Sequence, residues 1–412
     1  LGAYQEDSPN SISNIISKLS SDGTALMFST FFGGTATSDC ESPIVEIGMN
    51  NNIYIAGVTY SDNFPVTSDA FQTENLGDLS CFISCLSNDG STLHYSTYLG
   101  GEFVDLLNAF HVDNEGCAYV SGVTHSNDFP VTPGALNNSN RSDFLTKINA
   151  EGTALEYSAI LTSGTISDIT VNNEGIVYLI GTANNGDFPA TPGAFQSSGN
   201  PCCYSAFIMV VNQAATEILY ATYLSGGEGD TGRIISLNEE GDIILSGSTS
   251  SSSFPTTLGA YQTINYDDAA YVVKMDATCS QMIWGTLIGG EGTEGIYELT
   301  LDDSENVIIC GTTEGGGFPT TTQLFEHEYI SGLTGFVSLI SADGSDLIFS
   351  ALLLNAYGES RCEDVDVNTE GNFIVTGNTY EGFPITPDAY QSDFGGGSLD
   401  LFVASILPVN CQ

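Results

Sequence analysis

Six Phe-Pro pairs stand at Phe64, Phe129, Phe188, Phe254, Phe318 and Phe383, at intervals of 65, 59, 66, 64 and 65 residues. A period this regular marks a repeat architecture, in which each unit buries its apolar faces only against its neighbours. Each Pro is followed two residues later by threonine, at Thr67, Thr132, Thr191, Thr257, Thr321 and Thr386, and then by variants of Gly-Ala-Phe-Gln such as 193–196. Downstream come an apolar-alternating run (Phe144-Leu145-Thr146-Lys147-Ile148), a Glu151-Gly152 turn and a second run ending in Gly-Gly, as at 95–101. A Val-Asp-x-Glu-Gly turn and a β-rich Ala-Tyr-Val-Ser-Gly run follow, as at 112–122. Each unit thus carries four short β-rich runs cut by Gly, Asn and Asp turns, and no helical period persists. Four strands are too many for a β-helix coil, and propeller repeats of roughly 40–50 residues leave room here for one long loop, the Phe-Pro-x-Thr segment.

The segments Phe-Pro-Val-Thr-Pro-Gly-Ala-Leu (129–136), Asp-Phe-Leu-Thr-Lys-Ile (143–148), Tyr-Ser-Thr-Tyr-Leu-Gly-Gly (95–101) and the 112–122 run resemble the bacterial and archaeal seven-bladed β-propeller repeat family along essentially the whole chain. The resemblance implies an extracellular or cell-surface propeller with no established catalytic residues.

By analogy with other propeller repeats, the Val-Asp strand is labelled a (innermost), Ala-Tyr-Val-Ser-Gly b, Asp-Phe-Leu-Thr-Lys c and Tyr-Ser-Thr-Tyr d. Strands a begin near Ile44, Ala109, Asp168, Ile234, Glu298 and Asp364, and strands c near Ser13, Ser80, Asp143, Ala206, Ala270, Gly335 and Leu401. With six b and six d strands the total is twenty-five, one more than six four-stranded blades use. Residues 1–5 repeat 258–262 letter for letter, and the sequence ends just after a c strand. The sequence therefore predicts an all-β, six-bladed β-propeller of four-stranded blades. N- and C-terminal strands close one blade in a velcro closure, with one c strand in surplus. That strand either frays as a fifth outer strand or adds to a neighbouring molecule's blade in a head-to-tail filament. One domain, 1–412, is expected, with repeats near 1–43, 44–108, 109–167, 168–233, 234–297, 298–363 and 364–412.

There are 51 Asp and Glu against 6 Lys and Arg, a net charge of −45, yet only 14% of residues are charged. Since about 25% is usual, base is missing rather than acid in excess. Six scattered cations cannot build a phosphate-binding stripe, which excludes nucleic acid as a partner and disfavours anionic membranes. No apolar run approaches the ~18 residues of a membrane span. A start at Leu1 without Met or a leader pattern reads as a processed product or a fragment. Ten cysteines without a paired Cys-x-x-Cys motif point to disulfides in an exported protein rather than to zinc. Cys81 and Cys85, four apart on one strand, are too distant to bond each other. Asn137 and Asn140 head two glycosylation sequons.

Acidic residues gather before strand a: Glu102 with Asp105, Glu228 with Asp230, and Glu291 with Glu294. Asp105, Asp230 and Glu294 share one repeat position, where the other units carry Cys40, Gly164 and Ser360. Three converging carboxylates make calcium the candidate cation, against a plain solvated rim; no cofactor is otherwise required. Arg233 and Arg361 fall in the same loops and are expected to neutralise carboxylates. Lys18, Lys147 and Lys274 recur at one strand-c position, which favours a packed stem with a snorkelling ammonium. Gly-x-Ser-x-Gly, His-Glu-x-x-His and phosphate-loop motifs are absent. His94, His111, His125 and His327 are scattered, and His111 on strand a reads as a packed residue before it reads as a base. Phe of each Phe-Pro loop is expected to anchor the loop in its blade, and Trp284 to replace a strand-d Tyr in the core. The resulting expectation is a non-catalytic, exported structural or adhesive protein that self-associates in a filament or surface array. A carbohydrate- or protein-binding module and a polysaccharide hydrolase or lyase are the alternatives.

Overall fold

Short runs that alternate apolar and hydroxyl side chains between Asx-Gly turns cannot sustain a helix, and every run becomes a strand. The structure, a computed structural model, describes all residues except 1–2, 10–13, 37–40, 139–142, 162–163, 185–187, 325–331, 356–358 and 409–412. Among the described residues are twenty-five β-strands and one 3-10 turn, Met49–Asn51. β1 (Asn14–Leu19) and β2 (Leu26–Phe32) form a two-stranded sheet. Five four-stranded sheets follow in chain order. They are β3 (Glu41–Ile47), β4 (Ile53–Thr59), β5 (Ser80–Leu86) and β6 (Leu93–Leu99); then β7 (Asp105–Val112), β8 (Ala118–Thr124), β9 (Asp143–Ile148) and β10 (Leu155–Ile160). The third comprises β11 (Thr165–Val171), β12 (Val177–Ala183), β13 (Ser205–Val211) and β14 (Ile218–Leu224). The fourth holds β15 (Asp230–Leu237), β16 (Ile243–Thr249), β17 (Ala269–Met275) and β18 (Met282–Ile288). The fifth holds β19 (Thr293–Leu301), β20 (Val307–Glu314), β21 (Leu333–Ile340) and β22 (Leu347–Leu353). β23 (Ser360–Val367), β24 (Phe373–Thr379) and β25 (Asp400–Ile406) complete the chain as a three-stranded sheet. The protein is an all-β, six-bladed propeller, its blades antiparallel in the order a-b-c-d.

One point differs from expectation. Strands a start three to five residues earlier than the Val-Asp pattern indicates, because a bulge, such as those at Leu107/Ala109 and Gly232/Ile234, interrupts the alternation of apolar residues. At the chain ends β1 pairs with β2 as strands c and d, and β25 lies beside β24 as strand c of the last sheet.

The chain divides into two compact units, Leu1–Leu179 with Val210–Leu219, and Ile180–Met209 with Tyr220–Gln412. In the first, Phe28 and Phe32 of β2 pack with Ile53, Ile55, Phe64 and Phe82, so the two-stranded sheet is the outer half of a blade lying on β3–β6. A repeated stitch marks this packing: Tyr4 N–H donates to the carbonyl of the turn residue Gly90 (3.1 Å), and Phe71 N–H to that of Gly152 (2.9 Å). The second unit repeats it, with Tyr261 N–H donating to Gly344 (2.9 Å).

Each Phe-Pro loop is anchored as the repeat predicts. Phe64, Phe129, Phe188, Phe254, Phe318 and Phe383 stack on Phe82, Phe144, Phe207, Tyr271, Phe336 and Phe402 of strand c, at centroid distances of 4.3–4.5 Å. The loop threonine then pairs with strand d: Thr67 N–H donates to Ser96 O (3.0 Å), Thr132 N–H to Ser158 O (3.0 Å) and Thr257 N–H to Gly285 O (3.0 Å).

Candidate functional site

Asp105 and Asp230 are the first residues of β7 and β15, and Glu294 is the second of β19; all three are buried. Because strand a begins before its bulge, each carboxyl lies under the loop from the preceding strand d rather than in it. Asp105 Oδ2 accepts from Gly101 N–H (2.7 Å) and Ser126 Oγ (3.0 Å). Asp230 Oδ2 accepts from Gly226 N–H (2.8 Å), Ser225 Oγ (2.8 Å) and Ser251 Oγ (3.1 Å), and Oδ1 accepts from Thr249 Oγ1 (2.5 Å). Glu294 Oε1 accepts from Thr313 Oγ1 (2.9 Å). Thr313 ties Glu294 to strand b of its own blade, whereas Asp105 and Asp230 latch the end of one blade to the start of the next. Ser360 does the same in the last repeat, accepting from Gly335 N–H (3.1 Å) and donating to Leu353 O. Oδ1 of Asp105 and Oε2 of Glu294 are buried without a hydrogen-bond partner. Burial, with Asp267 and Asp268 adding to it, pushes the Glu294 carboxyl up to about 7 against the hydrogen bonds from Thr313 and Gly290. The donors that engage these carboxylates belong to the protein, and among the described residues no group of three His, Cys, Asp or Glu could hold a metal ion.

Strand a presents a second set of polar groups that the loop-centred sequence reading passes over. His111 Nδ1 lies 3.6 Å from Glu46 Oε1, and Glu46 Oε2 accepts from Val112 N–H (2.8 Å), which ties β3 to β7. Burial opposes protonation of His111, but the hydrogen bond and charge of Glu46, with Asp168 and Asp113, raise its pKa above the ordinary value. Asp364 on β23 is raised by burial and by neighbouring Asp366. In β23 the signal was present in the sequence as acids at alternate positions, Asp364 and Asp366.

Lys147 Nζ meets Glu156 Oε2 at 3.0 Å and Asp113 Oδ2 at 3.5 Å, and lies over the Tyr119 ring. Lys274 meets Asp242 and Glu305 at 3.2 Å each, whereas Lys18 donates to Asn88. Arg233 stacks its guanidinium over Tyr297, 4.7 Å from the ring centre, a cation–π contact in place of the expected carboxylate. His94 and His125 are exposed, and Trp284 is buried with Nε1 donating to Ala342 O (2.8 Å). Asn137 is exposed. Asn140, His327, Cys40 and Cys411 lie outside the described residues. The eight described cysteines are free thiols in this structure.

The end strands differ from the interior ones. β5, β9 and β13 are buried along their whole length, but β25 alternates: Phe402 and Ile406 are buried while Leu401 and Val403 are 82% and 55% exposed. β1 alternates likewise; Ile15 of β1 and Met27 of β2 are 60% and 63% exposed.

Blades joined by carboxylate latches and aromatic-anchored loops define the class, a β-propeller repeat protein. No protein-family model matches the chain, and no curated protein matches it. Among solved structures it is similar to hydrazine synthase of Kuenenia stuttgartiensis, with 11% identity, 73% of this chain and 72% of that one covered, and a TM-score of 0.45. It is also similar to the WD40 β-propeller domain of Doa1 (12% identity, 82% and 92% covered, TM-score 0.35) and to the Dos1 propeller (10%, 82% and 70%, TM-score 0.38). These likenesses concern the fold.

Proposed function

We propose that this chain is an exported, non-catalytic structural propeller of the seven-bladed repeat type, whose two ends join it to further copies in an extracellular filament or array. The observation that supports this is the unfinished state of the repeated inter-blade contact at both ends. Gly90, Gly152 and Gly344 each receive an aromatic side chain and an N–H from the neighbouring repeat, but a Cβ at the equivalent Gly23 would meet nothing within 4 Å. Tyr390, the counterpart of Tyr4, Phe71 and Tyr261, is 53% exposed. Leu401, Val403 and Tyr390 of the second unit and Ile15, Met27 and Gly23 of the first are each exposed halves of this contact, and a second copy of the chain carries the complement of each. Analytical ultracentrifugation over rising concentration, with negative-stain microscopy of the heaviest fraction, tests this. End-to-end oligomers are expected, and a concentration-independent monomer would overturn the reading.

A further inference from the structure

The second unit holds a pair of buried thiols that neither the latches nor the end faces use. Cys310 lies in β20 immediately before Gly311, and Cys362 lies in β23 at the bulge, opposite Gly377. Both are 0% exposed and share one apolar cluster with Val337, Phe349 and Val375. They meet where one blade packs on the next, β20 against β23. The same junction earlier in this unit is made by Ile180 and Gly232, where a Cβ at residue 232 would stand 2.5 Å from Ile180 Cγ1. The position therefore brings the residue before the strand-b glycine against the strand-a bulge, and in the last pair of blades it sets two residues of matched size face to face.

We propose that Cys310 and Cys362 form a disulfide as the chain folds, fastening the terminal sheet β23–β25 to the blade before it. Each thiol gives up its proton, and together they give two electrons to an oxidant of the disulfide class, such as glutathione disulfide, which is cleaved to two thiols as the new S–S bond forms. The reaction precedes full burial, because a thiol sunk among Val337, Phe349 and Val375 ionises poorly and is closed to exchange. That same burial then shields the bond from reductants. Two other cysteine pairs lack this geometry: Cys81 and Cys85 share one strand, and the adjacent Cys202 and Cys203 lie in a turn, with Sγ atoms 3.7 Å apart. The fastening matters most here, because the terminal sheet has three strands and one exposed face. The inference rests on the proposed export only for the supply of oxidant in the native setting.

The test is made on the full chain, refolded from urea in a glutathione redox buffer, with the folded fraction isolated and remaining thiols alkylated. Trypsin cuts after Arg361, directly before Cys362, and chymotrypsin cuts at Trp284 and Phe402, which separate this pair from Cys279 and Cys411. Mass spectrometry without reduction is expected to find the Cys310 and Cys362 peptides linked. The oxidised chain should show a higher urea midpoint than the reduced one, a difference lost in both Cys310→Ala and Cys362→Ala. Folded protein in which both residues are alkylated, or in which Cys310 is linked elsewhere, overturns the proposal. Since oxidant is supplied in the tube, that result leaves the export reading standing.

Discussion

The indole of Trp284 occupies the space above Gly344, so that a Cβ at residue 344 would lie 2.5 Å from indole Cε3, while Trp284 Nε1 donates to Ala342 O at 2.8 Å. Gly344 has φ 72, a left-handed conformation that costs a residue with a Cβ about 1–2 kcal/mol. Gly344→Ala is therefore expected to destabilise by more than that backbone cost, because the indole must also move. Gly371, with φ 80 and nothing within 4 Å of a Cβ, isolates the backbone contribution. Urea unfolding of the two variants should rank Gly344→Ala below Gly371→Ala; equal midpoints would show that the indole contact contributes nothing.

Phe254 stacks on Tyr271 at 4.3 Å and is 6% exposed, and Phe383 makes the same contact with Phe402 at 4.3 Å but is only partly buried. Truncating a buried aromatic leaves a cavity, and losses of about 3–5 kcal/mol are usual. Phe254→Ala should fall in that range and Phe383→Ala clearly below it, as measured by the shift in denaturant midpoint at constant slope.

Glu294 titrates near 7 in the fold against 4.5 when unperturbed. Between those values the folded state holds more protons than the unfolded one, so stability is fully present below about 4.5, declines as pH rises, and levels off above 7. The steepest decline from one such group is about 1.4 kcal/mol per pH unit. Glu294→Gln should remove this component, narrowing the difference between urea midpoints at pH 5 and pH 8. Parallel curves for the two proteins would contradict the assignment.

Asp230 is the most fully engaged latch, and its removal strands donors from Ser225, Gly226, Thr249 and Ser251. Hydrogen bonds to a charged acceptor contribute about 1.5–3 kcal/mol each, and buried donors left unpaired add to the loss. Asp230→Ala should therefore cost more than Asp230→Asn, which keeps one acceptor oxygen. Thermal unfolding of the pair decides it.

Leu401 and Val403 should set the strength of end-to-end association. Replacing both by lysine leaves the buried face of β25, Phe402 and Ile406, unchanged. Sedimentation of the double variant is expected to give monomers at concentrations where the parent chain associates, with an unaltered melting temperature. Association that survives the substitution would assign the contact to another surface.

Repeat period, strand number and the anchoring of the Phe-Pro loops were legible in the residues because they depend on contacts within one unit, copied six times. Strand count and order follow from alternation and turn chemistry, and Phe254 reaches Tyr271 through a loop of its own blade. What the alternation hid was the first half of each strand a, since a bulge reverses which side chains face inward. Asp105, Asp230 and Glu294 read as loop carboxylates in the sequence, but they are buried at the start of strand a. The donors they meet, such as Gly101, Gly226 and Thr313, come from the loop after the preceding strand d or from strand b, which no local pattern encodes. The adjacency of Cys310 to Cys362 and the exposure of one face of β25 belong to the same class of property. Each depends on which blade lies against which. Local sequence is alike from repeat to repeat, so the outcome is decided by packing in the tertiary structure.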